Sequence, residues 1–177
     1  MKLSGDKTNK QFIAECIRVN HAGEYGAKHI YEGQLAHIND KKCEEDLIHM
    51  KQQEEIHLQF FEQEILKRKI RPTLLLPLWR VGGYLLGAIT AKMGIKTAMS
   101  CTIAVEEIIE GHYKSQLGKL DSSEAGLHQK IDKFLQEESE HKELAHEYQA
   151  ETLANFSITE RIIKLLCKTS IIVAKKI

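Results

Sequence analysis

The sequence predicts an all-α protein: a bundle of four long helices with an extra amphipathic helix at its C-terminus. Composition, helical periodicity and the placement of turn residues carry this reading. Glu, Lys, Leu, Ile and Ala dominate, while only two prolines and five phenylalanines occur, a balance that favours helix over sheet. A length of 177 residues suits one domain with a full core better than two. The expected domain is therefore residues 1–177, with the bundle over about 11–150 and the terminal helix over about 157–177.

Four stretches repeat apolar residues every three or four positions. The first runs through Ile13, Ile17, Asn20, Glu24, Ala27, Tyr31, Leu35 and Ile38, and the second through Leu47, Met50, Glu54, His57, Phe61 and Ile65. Met99, Ile103, Glu106, Ile109, Tyr113, Leu117 and Leu120 mark the third; Leu127, Ile131, Phe134, Glu138, His141, Ala145 and Tyr148 mark the fourth. Each set lies on one face of a 3.6-residue period. Asn39-Asp40 and Asp121-Ser122-Ser123 are turn chemistry and divide the helices into two antiparallel hairpins. The roughly thirty residues between the second and third helices are enough for a long crossover.

Every inward stripe carries a glutamate at its middle. A lone buried carboxylate is costly, so such residues must be paired, protonated or bound to a metal. Glu54-Glu55-Ile56-His57 and Glu138-Ser139-Glu140-His141 are both Glu-x-x-His, which places two donors on one helix face. One such motif is common on solvated helices; the pair gains weight from an internal repeat. Glu24 is followed by Tyr31, Gln34 and Leu35, and Glu106 by Tyr113, Gln116 and Leu117, at identical offsets. Gln52-x-Glu54-x-x-His57 likewise matches Gln136-x-Glu138-x-x-His141. Two copies of one hairpin about a pseudo-twofold axis would gather Glu24, Glu54, His57, Glu106, Glu138 and His141. This is the ligand layout of ferritin-like di-iron or di-manganese carboxylate bundles, and mixed carboxylate and imidazole suit iron or manganese. His21, His29, His37, His49, His128 and His146 are expected at the surface or behind the ligands, and His112 lies off the Glu106 face.

Several classes are disfavoured. Lys plus Arg and Asp plus Glu both number 25, without the basic surplus that nucleic acid requires. Cys16, Cys43, Cys101 and Cys167 form no C-x-x-C pair, so a reducing compartment is expected. The polar residues 1–10 read as neither a secretory signal nor a transit peptide, unless one was removed. No G-x-G-x-x-G follows a strand.

The stretch from Ile17 to Ala27, Ile-Arg-Val-Asn-His-Ala-Gly-Glu-Tyr-Gly-Ala, followed by Ile30-Tyr-Glu-Gly-Gln34, resembles the opening signature of the demethoxyubiquinone hydroxylase family. The likeness continues through Arg71-Pro-Thr, Leu76-Pro-Leu-Trp79, the block from Ala98 to Glu107 and Glu137-Glu-Ser-Glu-His141. The resemblance implies a ferritin-like four-helix bundle holding two iron ions per chain, with dioxygen as co-substrate. The reaction would be hydroxylation of the demethoxyubiquinone or demethoxyubiquinol ring, late in ubiquinone biosynthesis. It implies the same six ligands, with Glu54 and Glu138 bridging, Glu24 and His57 completing one iron, and Glu106 and His141 the other. Asn20 departs from the family, which usually carries Asp there. The reductant would be a partner, NADH or the quinone itself. An iron-oxidising or storage protein and a rubrerythrin-like peroxidase are the alternatives that the same ligands would serve.

A polyprenyl quinone substrate implies contact with the membrane surface. Leu74–Ala91 contains Arg80 as its only charge together with Pro77, Gly82, Gly83 and Gly87; it reads as a buried crossover or a membrane-contacting segment rather than a span. In the terminal helix Arg161, Lys164, Lys168 and Lys175 share a face opposite Ile and Leu, the pattern of an interfacial helix. Peripheral attachment is expected, on the cytoplasmic face of a bacterial inner membrane or the matrix side of the mitochondrial one. A second copy of the chain or other quinone-biosynthesis proteins are the expected protein partners.

Overall fold

A computed structural model describes residues 8–176; the polar opening, residues 1–7, and Ile177 lie outside the described residues. The helices are α1 (Asn9–Leu35), α2 (Lys41–Arg68), α3 (Leu76–Lys92), α4 (Ile95–Leu117), α5 (Ala125–Glu147) and α6 (Phe156–Lys176). The start of α1 is fixed by a capping box: Gln11 N–H donates to Thr8 Oγ1 and Thr8 N–H to Gln11 Oε1. Asp40 caps α2 by accepting from Cys43 N–H at 2.9 Å. The predicted turn residues therefore start the second arm of the first hairpin. Asp121 caps the short 3-10 turn Ser122–Glu124 that leads into α5, accepting from Ser123 N–H at 2.9 Å.

Helices α1, α2, α4 and α5 form the bundle, and its core is layered. One apolar layer joins Ile13 and Ile17 of α1, Phe61 and Ile65 of α2, Tyr113 of α4 and Phe134 of α5. The other joins Tyr31, Met50, Met99, Ile103 and Ala145. The six predicted ligands lie between these layers along every helix, each at most 1 % exposed. The apolar layers hold the helices at fixed separation, so the polar layer cannot relieve itself by opening to water.

The thirty-residue connection is neither a loop nor a buried crossover. It contains α3, a helix packed along α1 with one face outward. A Cβ at Gly87 would meet Ile30 O at 1.9 Å, one at Gly83 would meet Gly26 O at 2.7 Å, and one at Gly33 would meet Tyr84 O at 2.1 Å. The two backbones touch where side chains normally intervene. With its bulk displaced outward, α3 exposes Leu78, Val81, Leu85 and Ile89. Gly94 then turns the chain into α4 at φ 115, a region that L side chains rarely adopt.

Helix α6 lies against α4 through Ile163 and Cys167 and against α1 through Ile171 and Ala174. Its outward side presents Ile158, Ile162, Leu165 and Ile172. The expected basic face requires one correction. Lys164 is tied to Glu107 at 2.6 Å and Glu160 at 2.8 Å, so Arg161, Lys168 and Lys175 remain as a stripe beside the exposed apolar face. No helix of the described residues is long and apolar enough to cross a membrane.

Candidate metal centre

Helical spacing delivers the six side chains to one place. Donor atoms of Glu24, Glu54, His57 and Glu138 lie within 4.8 Å of one another, as do those of Glu54, Glu106, Glu138 and His141. Glu54 and Glu138 belong to both quartets. Each Glu-x-x-His pair reaches across the bundle as well as along its own helix: His57 Nδ1 is 3.1 Å from Glu138 Oε1, and His141 Nδ1 is 3.2 Å from Glu138 Oε2 and 3.4 Å from Glu54 Oε1.

The sequence repeat also explains what surrounds these groups. Tyr31 O–H donates to Glu106 Oε1 at 2.7 Å, and Tyr113 O–H donates to Glu24 Oε1, so each hairpin's tyrosine holds the other hairpin's glutamate. Gln34 donates to Ala98 O at 2.9 Å and to Thr102 Oγ1, while Gln116 and Asn20 exchange hydrogen bonds of 2.6 and 2.9 Å. Thr102 and Asn20 stand four residues before Glu106 and Glu24 respectively. Asn20 therefore pairs with a neutral amide, which it satisfies as both donor and acceptor.

His57 Nε2–H donates to Glu137 Oε2 at 2.9 Å, and His141 Nε2–H donates to Gln53 Oε1 at 2.8 Å. Those bonds place each ring's proton on its outer nitrogen and leave Nδ1 as a lone-pair donor facing the centre. Gln53 and Glu137 were not singled out in the sequence. They immediately precede Glu54 and Glu138 in both copies, which is the signal that marks them.

Eight buried atoms of the cluster have no hydrogen-bond partner: both oxygens of Glu54 and of Glu138, one oxygen each of Glu24 and Glu106, and Nδ1 of His57 and of His141. An orphaned buried polar atom ordinarily costs about 1–3 kcal/mol, so eight at one point mark a place built for a ligand. Four ionised carboxylates carry four negative charges, which two divalent cations would neutralise. Without cations, protons serve instead. Burial and the charge of Glu138 push the Glu54 and Glu106 carboxyls well above the usual range. Burial works against the charge of Glu138, yet His141 and His57 hold its carboxyl below that range. Burial also opposes a charged His57, but Glu138 and Glu24 raise it to about 11. The donor set fits hard or borderline divalent ions with oxygen and imidazole ligands.

Beside Glu24 opens a cavity of about 340 Å³ between α1, α3, α4 and α6, lined almost wholly by apolar groups such as Ala22, Leu86, Val105 and Ile109. Besides Glu24 Oε2, two polar atoms in its wall lack partners, Trp79 Nε1 and His112 Nε2. Burial and the charge of Lys175 hold His112 down to about 4, so its ring is neutral near pH 7. His112 is thus off the ligand face, as its spacing predicts, and on the cavity face instead. The other histidines stay away from the centre. His21 and His29 are nevertheless buried, at 5 % and 8 % exposure, and His29 pairs with Glu32 at 2.6 Å.

The sequence profile of the family described as "ubiquinone biosynthesis protein COQ7" matches residues 11–174. A Rhodospirillum rubrum protein named 3-demethoxyubiquinol 3-hydroxylase is 41% identical over 99% of this chain and 84% of its own length. The Rattus norvegicus mitochondrial protein named NADPH-dependent 3-demethoxyubiquinone 3-hydroxylase is 38% identical over 97% of this chain and 81% of its own. A Saccharomyces cerevisiae relative, the mitochondrial 5-demethoxyubiquinone hydroxylase, is 35% identical over 94% and 78%. With such relatives matching nearly all of this chain and the family profile spanning residues 11–174, the chain belongs to the ubiquinone biosynthesis protein COQ7 family.

Proposed function

We propose that this chain hydroxylates the ring of a demethoxyubiquinol with dioxygen, at a carboxylate-bridged pair of iron ions next to the apolar cavity. The observation that carries the reading is how the carboxylate oxygens are committed. Glu54 and Glu138 keep both oxygens free, as bridging ligands must, whereas Glu24 and Glu106 each give one oxygen to a tyrosine and keep one. Glu24, Glu54, His57 and Glu138 would hold one ion, and Glu54, Glu106, Glu138 and His141 the other. When bound there, iron would supply the reduction of dioxygen, with one oxygen atom going to the ring and the other to water for two electrons and two protons.

The chain's own residues do the rest. Tyr113 and Tyr31 fix the terminal carboxylates. The apolar walls exclude water, which strengthens every electrostatic contact inside. Trp79 N–H and the neutral His112 ring are free to hold the oxygens of a quinol ring, and they orient it beside Glu24. Storage or peroxidase chemistry has no use for such a cavity. The relatives named NADPH-dependent widen the expected reductant from NADH to a reduced nicotinamide nucleotide.

The exposed apolar sides of α3 and α6 flank the cavity, and they would rest on the membrane surface with the stripe of Arg161, Lys168 and Lys175 at anionic headgroups. The expected face is the cytoplasmic leaflet of a bacterial inner membrane or the matrix leaflet of the mitochondrial one, a choice in keeping with relatives that are bacterial or named mitochondrial. Quinone extraction from cells lacking the protein tests the whole reading: a demethoxy precursor should accumulate, and restoring the chain should clear it. An unchanged quinone profile would sink the assignment.

A further inference from the structure

The two halves of the cluster are copies in every group that faces the ions, and they differ in what stands behind the histidines. His57 gives its Nε2–H to a carboxylate, Glu137 Oε2, at 2.9 Å; His141 gives its own to an amide oxygen, Gln53 Oε1, at 2.8 Å. The two backing residues hold equivalent positions, so the difference is one of charge rather than of placement. A carboxylate draws the N–H proton more strongly than an amide carbonyl does. Electron density then shifts to Nδ1, and the ring becomes a stronger donor to a cation.

Each oxygen of Glu137 has its own donor, His57 on Oε2 and Lys133 on Oε1. Lys133 meets Glu137 Oε1 at 2.6 Å and is itself 57% exposed, so water screens much of its counter-charge. The oxygen that receives His57 is the other one. A second difference has the same sense: Glu24, from the carboxylate-backed half, lines the cavity, and Glu106 does not.

We propose that Glu137 is a positioning residue that makes the Glu24–His57 half the tighter metal half-site, so that the first divalent ion loads on the cavity side and the amide-backed half fills second. The inference rests on the metal-centre reading above. It makes the ion nearest the substrate the one with the more electron-rich ligand set, in a bundle whose inward groups alone would make the ions equal.

The test uses the metal-free full-length protein titrated with Co²⁺, followed by calorimetry and by NMR of the two histidine Nε2–H signals. Glu137→Gln keeps the size and a hydrogen-bond acceptor while removing the charge. It should weaken the tight step about tenfold, the lower end of what losing such a partner does, and leave the other step unchanged. Gln53→Glu should strengthen the weak step by a similar factor. With one equivalent of Co²⁺, the paramagnetically shifted N–H should be the one whose diamagnetic signal moves in Glu137→Gln. The inference is overturned if both variants leave both steps as in the parent chain, or if Glu137→Gln weakens both steps equally. A parent chain that binds no Co²⁺ would instead overturn the metal-centre reading itself.

Discussion

The centre of the bundle and the rim formed by α3 and α6 break the usual distribution of residues in opposite senses. Inside, carboxylates and imidazoles sit at 1 % exposure or less. On the rim, Leu78, Leu85, Leu165 and Ile162 are each more than half exposed. Both arrangements are unfavourable for an isolated chain in water. What they teach together is that the two departures coincide with the two proposed partners, cations in the middle and a lipid surface outside. They also adjoin, because the cavity that reaches Glu24 is walled by the same two rim helices.

The sharpest way to break the comparison is at the centre. Glu138→Ala removes a group shared by both quartets, so metal analysis should show loss of both ions and Mössbauer spectroscopy no coupled pair. Glu24→Asp touches one quartet and should keep coupling with reduced occupancy. A coupled di-iron signal persisting in Glu138→Ala would show the bridges to be misassigned. A smaller but still large effect is expected where rim meets bundle. Gly87→Leu puts a side chain where Ile30 O already stands and should destabilise by about 1–3 kcal/mol or more, read as a fall in denaturation midpoint. An unaltered midpoint would mean that α3 is not seated on α1 as described.

The rim itself is tested by flotation. The intact chain should float with anionic vesicles, truncation after Phe156 should weaken binding severalfold, and Leu165→Glu should do so without unfolding the bundle. Recovery entirely in the soluble fraction at low salt would remove the lipid surface from the account. The smallest effect belongs to the metal-free centre. Glu54 and Glu106 have raised carboxyls and His57 is raised to about 11, so the folded state binds more protons than the unfolded chain. His112, held down to about 4, works the other way up to its ordinary range, so stability of the apoprotein should fall as pH rises from about 7 towards 11. Glu138, shifted downward, acts with the opposite sign but only below the ordinary carboxylate range. Saturating metal should flatten the slope, since cations replace the protons; equal slopes with and without metal would contradict this.

The convergence of the six glutamate and histidine side chains was legible because helical periodicity and an internal repeat constrained them twice over. Tyr31 and Tyr113 were visible in the same repeat, but not the exchange by which each holds the opposite hairpin's glutamate. Gln53 and Glu137 escaped notice because their partners lie across the bundle and they sit one position off the inward stripe. Helix α3 was hidden for a different reason. Gly82, Gly83 and Gly87 weaken its local helix signal, and the helix is held by backbone contact with α1 that no single segment encodes. That omission propagated: His29, expected at the surface or behind the ligands, is instead buried where α3 covers α1, its Cβ 3.4 Å from where a Cβ on Gly83 would sit.

Gly23, Gly26 and Gly82 also line the cavity, and a Cβ added to any of them would meet nothing within 4 Å. Their lack of a side chain is therefore not forced by packing. Alanine in a helix interior would ordinarily gain roughly 0.5–1 kcal/mol over glycine, so the chain forgoes stability at three positions and keeps empty volume in return. The bore of the passage is set by missing methyl groups, and it can be narrowed one methyl at a time without disturbing a single protein contact. Graded steric selection of ring substituents would follow, with each narrower variant expected to be the sturdier protein.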